Sequence, residues 1–122
     1  MAEGVQKKNI DASPDETRTF EHGELRTATV ADFKVARISL EPGWKWSEDI
    51  KPIAGTDSCL LAHHGLMLSG RMRVVMDDGS EMEIGAGDTY VIPPGHDAWV
   101  VSEEPVSGIE FSREAVEEFA KE

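Results

Sequence analysis

His96 stands directly after the corner Pro93-Pro94-Gly95 and before Asp97 and Trp99. Two prolines, which offer no N–H and hold φ fixed, end a strand after Ile92, and Gly95 accepts a backbone angle that other residues resist. The chain therefore turns here and delivers His96 to the start of the next strand. A pair of imidazoles, His63-His64, interrupts the apolar run of residues 59–68. Imidazole is the commonest metal ligand, and it changes charge near neutral pH. The structural alternatives are a core histidine bonded to a neighbouring strand for His63, and a turn histidine satisfying the carbonyls of the proline corner for His96. His64, one position along a strand, faces the side opposite His63. His22 lies beside Gly23 and reads as an exposed turn residue, while Asp88 and Asp97 flank turns and read as caps for backbone N–H groups. Cys59, the single cysteine, is either a small buried hydrophobe or a reactive thiol. In Trp44-Lys45-Trp46 the alternation places both indoles on one side of a strand, where they either plug the core or wall a ligand pocket.

The elements that must position these groups are short. Residues 1–16 are polar, lack a hydrophobic period and contain Ser13-Pro14-Asp15, so they read as a flexible N-terminal arm ahead of one domain over residues 17–122. Three strands follow between Thr17 and Leu40, broken at His22-Gly23 and Ala31-Asp32. Residues 47–57, with Pro52 and Gly55, form the longest irregular stretch after the arm and the expected rim of a site. Residues 59–68 read as one buried strand, and Ser69-Gly70 turns into residues 71–76. Asp77-Asp78-Gly79-Ser80 is a tight hairpin, after which Met82 and Ile84 face inward and Glu81 and Glu83 outward. Met67, Met72, Met76 and Met82 read as core filler. With the strands around residues 89–92, 98–101 and 106–111 the total is roughly nine or ten, the pattern of an antiparallel sandwich or barrel. From Ser112 the period changes, and Ala115, Val116, Phe119 and Ala120 share one face of a short helix over residues 112–121.

Composition excludes several partners. The 122 residues carry 12 basic and 24 acidic side chains, a net charge of −12 that repels phosphate backbones and anionic lipid surfaces. Neither nucleic acid nor a membrane is an expected partner. No stretch approaches the ~18 apolar residues of a membrane span and no apolar segment opens the chain, so a cytoplasmic setting is expected.

The strand order and the glycine-proline punctuation resemble the cupin superfamily, small jelly-roll barrels marked by two motifs. The second, G-x5-P-x-G-x2-H, is matched by Gly87, Pro93 and Gly95; Ala98 occupies its last position, and His96 stands two residues earlier on the same side of a strand. The first, G-x5-H-x-H-x3,4-E-x6-G, is altered. Counting back from Gly70 puts His63 at the glutamate position and Ser58 and Thr56 at the histidine pair, whereas counting forward from Gly43 puts Asp49 and Lys51 there. The resemblance spans residues 41–111. It implies an all-β cupin jelly-roll barrel, an antiparallel double sheet, to which the C-terminal helix is appended.

It further implies a metal inside the barrel mouth. Carried over to this chain, the ligands are His63 and His96 with a rim carboxylate, Asp49 ahead of Glu48, a two-histidine, one-carboxylate set suited to iron, manganese or zinc. Trp44, Trp46, Met67 and Tyr90 are the expected pocket walls, and Glu48, Asp49, Lys51 and Tyr90 the only positions for a base. Two classes of function follow. One is a cupin that binds or senses a small molecule in the barrel mouth, with or without the metal. The other is a metal-dependent enzyme of the dioxygenase or isomerase type acting on a small organic acid or sugar derivative. The altered ligand set favours the first. A homodimer is expected, with Trp99, out of phase with His96, turned away from the pocket toward a partner or the N-terminal strands.

Overall fold

The structure is a computed structural model that describes residues 4–111. The helix expected over residues 112–121 lies outside the described residues. Among those described, β-branched and apolar residues in alternation build nine strands: β1 (Glu16–Phe20), β2 (Gly23–Val30), β3 (Phe33–Leu40), β4 (His63–Ser69), β5 (Arg71–Met76), β6 (Glu81–Gly85), β7 (Thr89–Ile92), β8 (His96–Val100) and β9 (Val106–Glu110). All pairing is antiparallel, in a six-stranded sheet of order β1-β2-β3-β9-β4-β7 and a three-stranded sheet of order β6-β5-β8.

This is a two-sheet sandwich and not the closed barrel that was expected. Among the described residues no ladder joins the sheets, and the isolated bridges Lys45↔Trp99 and Cys59↔His96 only widen the smaller one. The core is where the two inner faces meet: Leu40, Met67, Ile92 and Val106 from the larger sheet pack with Met72, Val74, Ile84, Ala98 and Val100 from the smaller. Met82 does not join them. It is 71% exposed although its neighbour on the same face, Ile84, is buried, because among the described residues β6 is an edge strand with no further strand beside it.

Two local readings change in ways that shape the site. Trp44-Lys45-Trp46 is not a strand. Lys45 makes a single bridge and Trp46 opens the short helix α1 (Trp46–Asp49), followed by α2 (Lys51–Ala54), within the stretch read as irregular. The cause is local: the Asp49 carboxylate reaches back to accept the Lys45 N–H at 3.0 Å, Pro52 suits the first turn of α2, and Gly55 ends it at φ 75°. Asp97 accepts the Ser47 N–H at 3.0 Å and so ties α1 to β8.

Residues 59–68 are likewise not one strand. Cys59 pairs with His96 in the smaller sheet, β4 begins only at His63 in the larger, and between them Leu60 and Leu61 are 56% and 57% exposed. The chain crosses from one sheet to the other within this step. At the other end of the fold, Asp15 accepts the Thr29 N–H and donates its own N–H to Thr27, which ties the end of the N-terminal arm to β2. No described helix is long and apolar enough to cross a membrane.

Candidate metal and ligand site

The crossover brings Cys59 and His63 face to face from opposite sheets, and the proline corner adds His96. Gly95 adopts φ 91°, and its N–H donates to the Cys59 carbonyl at 2.7 Å while the Cys59 N–H donates to the His96 carbonyl at 2.7 Å. Cys59 is thereby clamped beside His96. One donor atom from each of Cys59, His63 and His96 lies within 4.8 Å of the others, and the two imidazoles meet edge to face with centroids 5.2 Å apart.

Each imidazole is oriented from behind. His96 Nδ1 lies 2.8 Å from the Pro93 carbonyl, which only accepts, so Nδ1 carries a proton and Nε2 of the neutral ring keeps its lone pair. His63 Nδ1 lies 2.8 Å from Glu110 Oε1, and Tyr90 Oη donates to Glu110 Oε2 at 2.7 Å. Tyr90 reaches Glu110 only because residue 65 is glycine. A Cβ there would lie 2.7 Å from the Tyr90 hydroxyl and 2.6 Å from the Ile109 carbonyl. His63 Nε2 is left facing Cys59 Sγ at 3.6 Å.

Burial alone raises the Cys59 thiol, but the imidazoles of His63 and His96 and the Leu61 N–H outweigh it and hold the thiol well below its usual range. Burial likewise disfavours the charged form of His63, and the bonds and charges of Cys59 and Glu110 reverse that and raise it. Both shifts favour the thiolate–imidazolium form of the pair when no metal is bound. Tyr90 is pushed up, first by burial and then by the Glu110 charge, so it stays a phenol and a donor.

The donor set could hold a transition metal. Metal–sulfur and metal–nitrogen bonds of about 2.3 and 2.05 Å at a tetrahedral angle place S and N about 3.6 Å apart, the separation observed between Cys59 and His63. Both imidazoles donate Nδ1–H to an oxygen and free Nε2, the arrangement that orients histidine ligands.

The expected third ligand, Asp49, is not part of this group. Its carboxylate is 7% exposed and is taken up by His22 Nδ1 at 3.1 Å and the Lys45 N–H at 3.0 Å. His22 is correspondingly not an idle turn residue. It bends the backbone at φ 65° and closes onto Asp49. Glu48 and Lys51 do not line the cavity either.

Next to the donors lies a cavity of about 230 Å³. Trp44, Trp46, Met67 and Tyr90, the four positions read as pocket walls, all line it, with Phe20, Leu25 and Ile38 from the larger sheet. Trp99 does not. Its ring carries the Lys45 ammonium 5.2 Å from the centroid. His64 faces away from the cavity, and its Nδ1 is buried without a partner among the described residues.

Two residues of the candidate site were not anticipated, Cys59 as a candidate ligand and Glu110 as the partner that orients His63. A signal existed for both. With His63 at the glutamate position of the first motif, the shorter spacing puts Cys59 at the second histidine, and Val106, Gly108 and Glu110 share one face of β9.

The pattern of the EutQ-like cupin domain family matches residues 61–118. No curated protein matches the chain. Among solved structures, a Cupin 2 conserved barrel domain protein from Salinispora arenicola is 17% identical, with 97% of this chain and 98% of that one covered at a TM-score of 0.59. The polyketide cyclase RemF from Streptomyces resistomycificus is 15% identical, covering 88% of this chain and 78% of its own at 0.61. A sugar phosphate isomerase of the cupin superfamily from Silicibacter pomeroyi is 21% identical, covering 86% and 73% at 0.57. These likenesses give the chain a cupin-type fold.

Proposed function

We propose that this protein is a small-molecule-binding or sensing cupin whose ligand lies in the apolar cavity with its head group against a metal held by Cys59, His63 and His96. The observation that carries this reading is the convergence of three oriented donors at the polar end of an otherwise apolar cavity. A thiolate with two imidazoles favours zinc, or ferrous iron, over manganese, which prefers oxygen ligands. When bound, the metal supplies a Lewis-acidic anchor for an oxygen or nitrogen of the ligand. The chain's own residues orient that anchor: Glu110 and Tyr90 hold His63, and the Pro93 carbonyl holds His96.

The enzyme reading is the weaker of the two for a structural reason. Glu110 is the only carboxylate lining the cavity among the described residues, and both its oxygens are engaged, Oε1 by His63 and Oε2 by Tyr90. A base for isomerisation would have to break one of those bonds first. Elemental analysis of untagged protein tests the proposal. Stoichiometric metal in the wild type, lost in Cys59→Ser, His63→Ala and His96→Ala, is expected; a wild type that binds no added zinc or iron sinks it. The tryptophans of the wall then report ligands by fluorescence.

A further inference from the structure

The cavity wall also restricts which ligand can enter, an inference that rests on the metal-centred reading above. Its titratable lining groups among the described residues are Cys59, His63, Tyr90, His96 and Glu110, and they form one connected cluster. The remainder of the wall is aliphatic or aromatic, including Phe20, Ile38, Trp44, Trp46 and Met67, and among the described residues no lysine or arginine lines it. A second charged group on the ligand, such as a phosphate or a distal carboxylate, would be desolvated against hydrocarbon with no cation to meet it. Away from the cluster the wall offers a sugar's hydroxyls only indole N–H donors, among them the buried and unpartnered Trp44 Nε1, too few to satisfy a polyhydroxylated body. The volume of about 230 Å³ falls below the ~300–1,000 Å³ of drug-sized pockets, which limits the ligand to a compact molecule.

We infer that the ligand is a compact molecule with one metal-coordinating head and an uncharged apolar body, such as an aromatic or branched aliphatic monoacid, and that sugars, sugar phosphates and dicarboxylates are excluded. The head meets the Cys59, His63 and His96 centre while the body lies between the two indoles and the inner face of the larger sheet. Leu61, which lines the cavity and is 57% exposed, stands at its mouth.

The test uses the full-length protein loaded with cobalt(II), which reports its own ligands through its absorption spectrum. Three probes share one head: acetohydroxamate, benzohydroxamate and 4-carboxybenzohydroxamate. Each is titrated by the cobalt spectrum and by quenching of tryptophan fluorescence. Benzohydroxamate is expected to bind roughly 50-fold more tightly than acetohydroxamate because its ring is buried. The added carboxylate is expected to remove at least about tenfold of that gain. Cobalt bands that respond to all three probes with equal affinity, or with the carboxylated probe tightest, overturn the inference and leave the metal site standing. A protein that shows no cobalt–thiolate absorption overturns both, so the two failures are told apart.

Discussion

Glu110 offers the sharpest test of how the centre is built, because it touches no proposed metal position yet holds one ligand in place. Its side chain is 12% exposed and accepts from His63 Nδ1 at 2.8 Å and Tyr90 Oη at 2.7 Å. In Glu110→Ala both donors lose their acceptor, and the His63 ring is free to rotate its Nε2 away from Cys59. Removing such an outer partner typically weakens metal binding about 10–100-fold, or about 1.4–2.7 kcal/mol. Leaving two buried donors unpaired costs about 2–4 kcal/mol of folding stability on top. Glu110→Gln separates the effects. Its amide oxygen can still accept from His63 and its amide N–H can meet the Tyr90 oxygen, so orientation is kept and charge is lost. The alanine variant is therefore expected to lose several-fold more affinity than the glutamine variant. Zinc competition against a chromophoric chelator gives the affinities, and urea denaturation the stabilities. The reasoning is refuted if Glu110→Ala binds zinc within about threefold of the wild type while His63→Ala does not bind it, since an outer ligand of this kind should be felt.

Asp49→Ala is expected to leave zinc affinity within about twofold but to lower stability by about 1–3 kcal/mol, because it strips a buried acceptor from His22 and the Lys45 N–H; a large loss of metal would restore Asp49 as a ligand. Gly65→Ala should lower the urea midpoint by about 1–3 kcal/mol equivalent, since the new Cβ lies 2.6 Å from the Ile109 carbonyl and 2.7 Å from the Tyr90 hydroxyl, and an unchanged midpoint would contradict that packing. In metal-free protein the Cys59 thiol is held near 6 against an ordinary 9.0, so the thiolate, and with it alkylation by iodoacetamide, persists through neutral pH and falls only as pH drops through about 6. A rate that rises only toward pH 9.0 would mean the imidazoles do not act on the thiol.

Much of this architecture is written locally. The Asp78-Gly79 hairpin, the turn at Gly70 and the Pro93-Pro94-Gly95 corner each follow from backbone preferences of the residues themselves, and strand alternation correctly assigned Met67 to an inner face and His64 to an outer one. The same alternation misread Trp44-Lys45-Trp46, where a carboxylate three residues beyond Trp46 turned the chain into a helix, and Met82, whose face was right but whose edge strand left it uncovered.

His63 and His96 could be named from the chain alone because each follows or precedes a glycine at a motif spacing. What converges with them could not. A strand's period says which face a side chain occupies, but which residue of the opposite sheet it meets depends on pairings between segments far apart in sequence. Here the bridge of Cys59 to His96 and the pairing of β4 with β9 set Cys59 and Glu110 on either side of His63, while Asp49 was drawn to His22 instead. The sequence by itself determined most of the strands, the corner and the two imidazoles; the tertiary structure decided that Cys59 joins them in the candidate centre and that the cavity beside it is apolar.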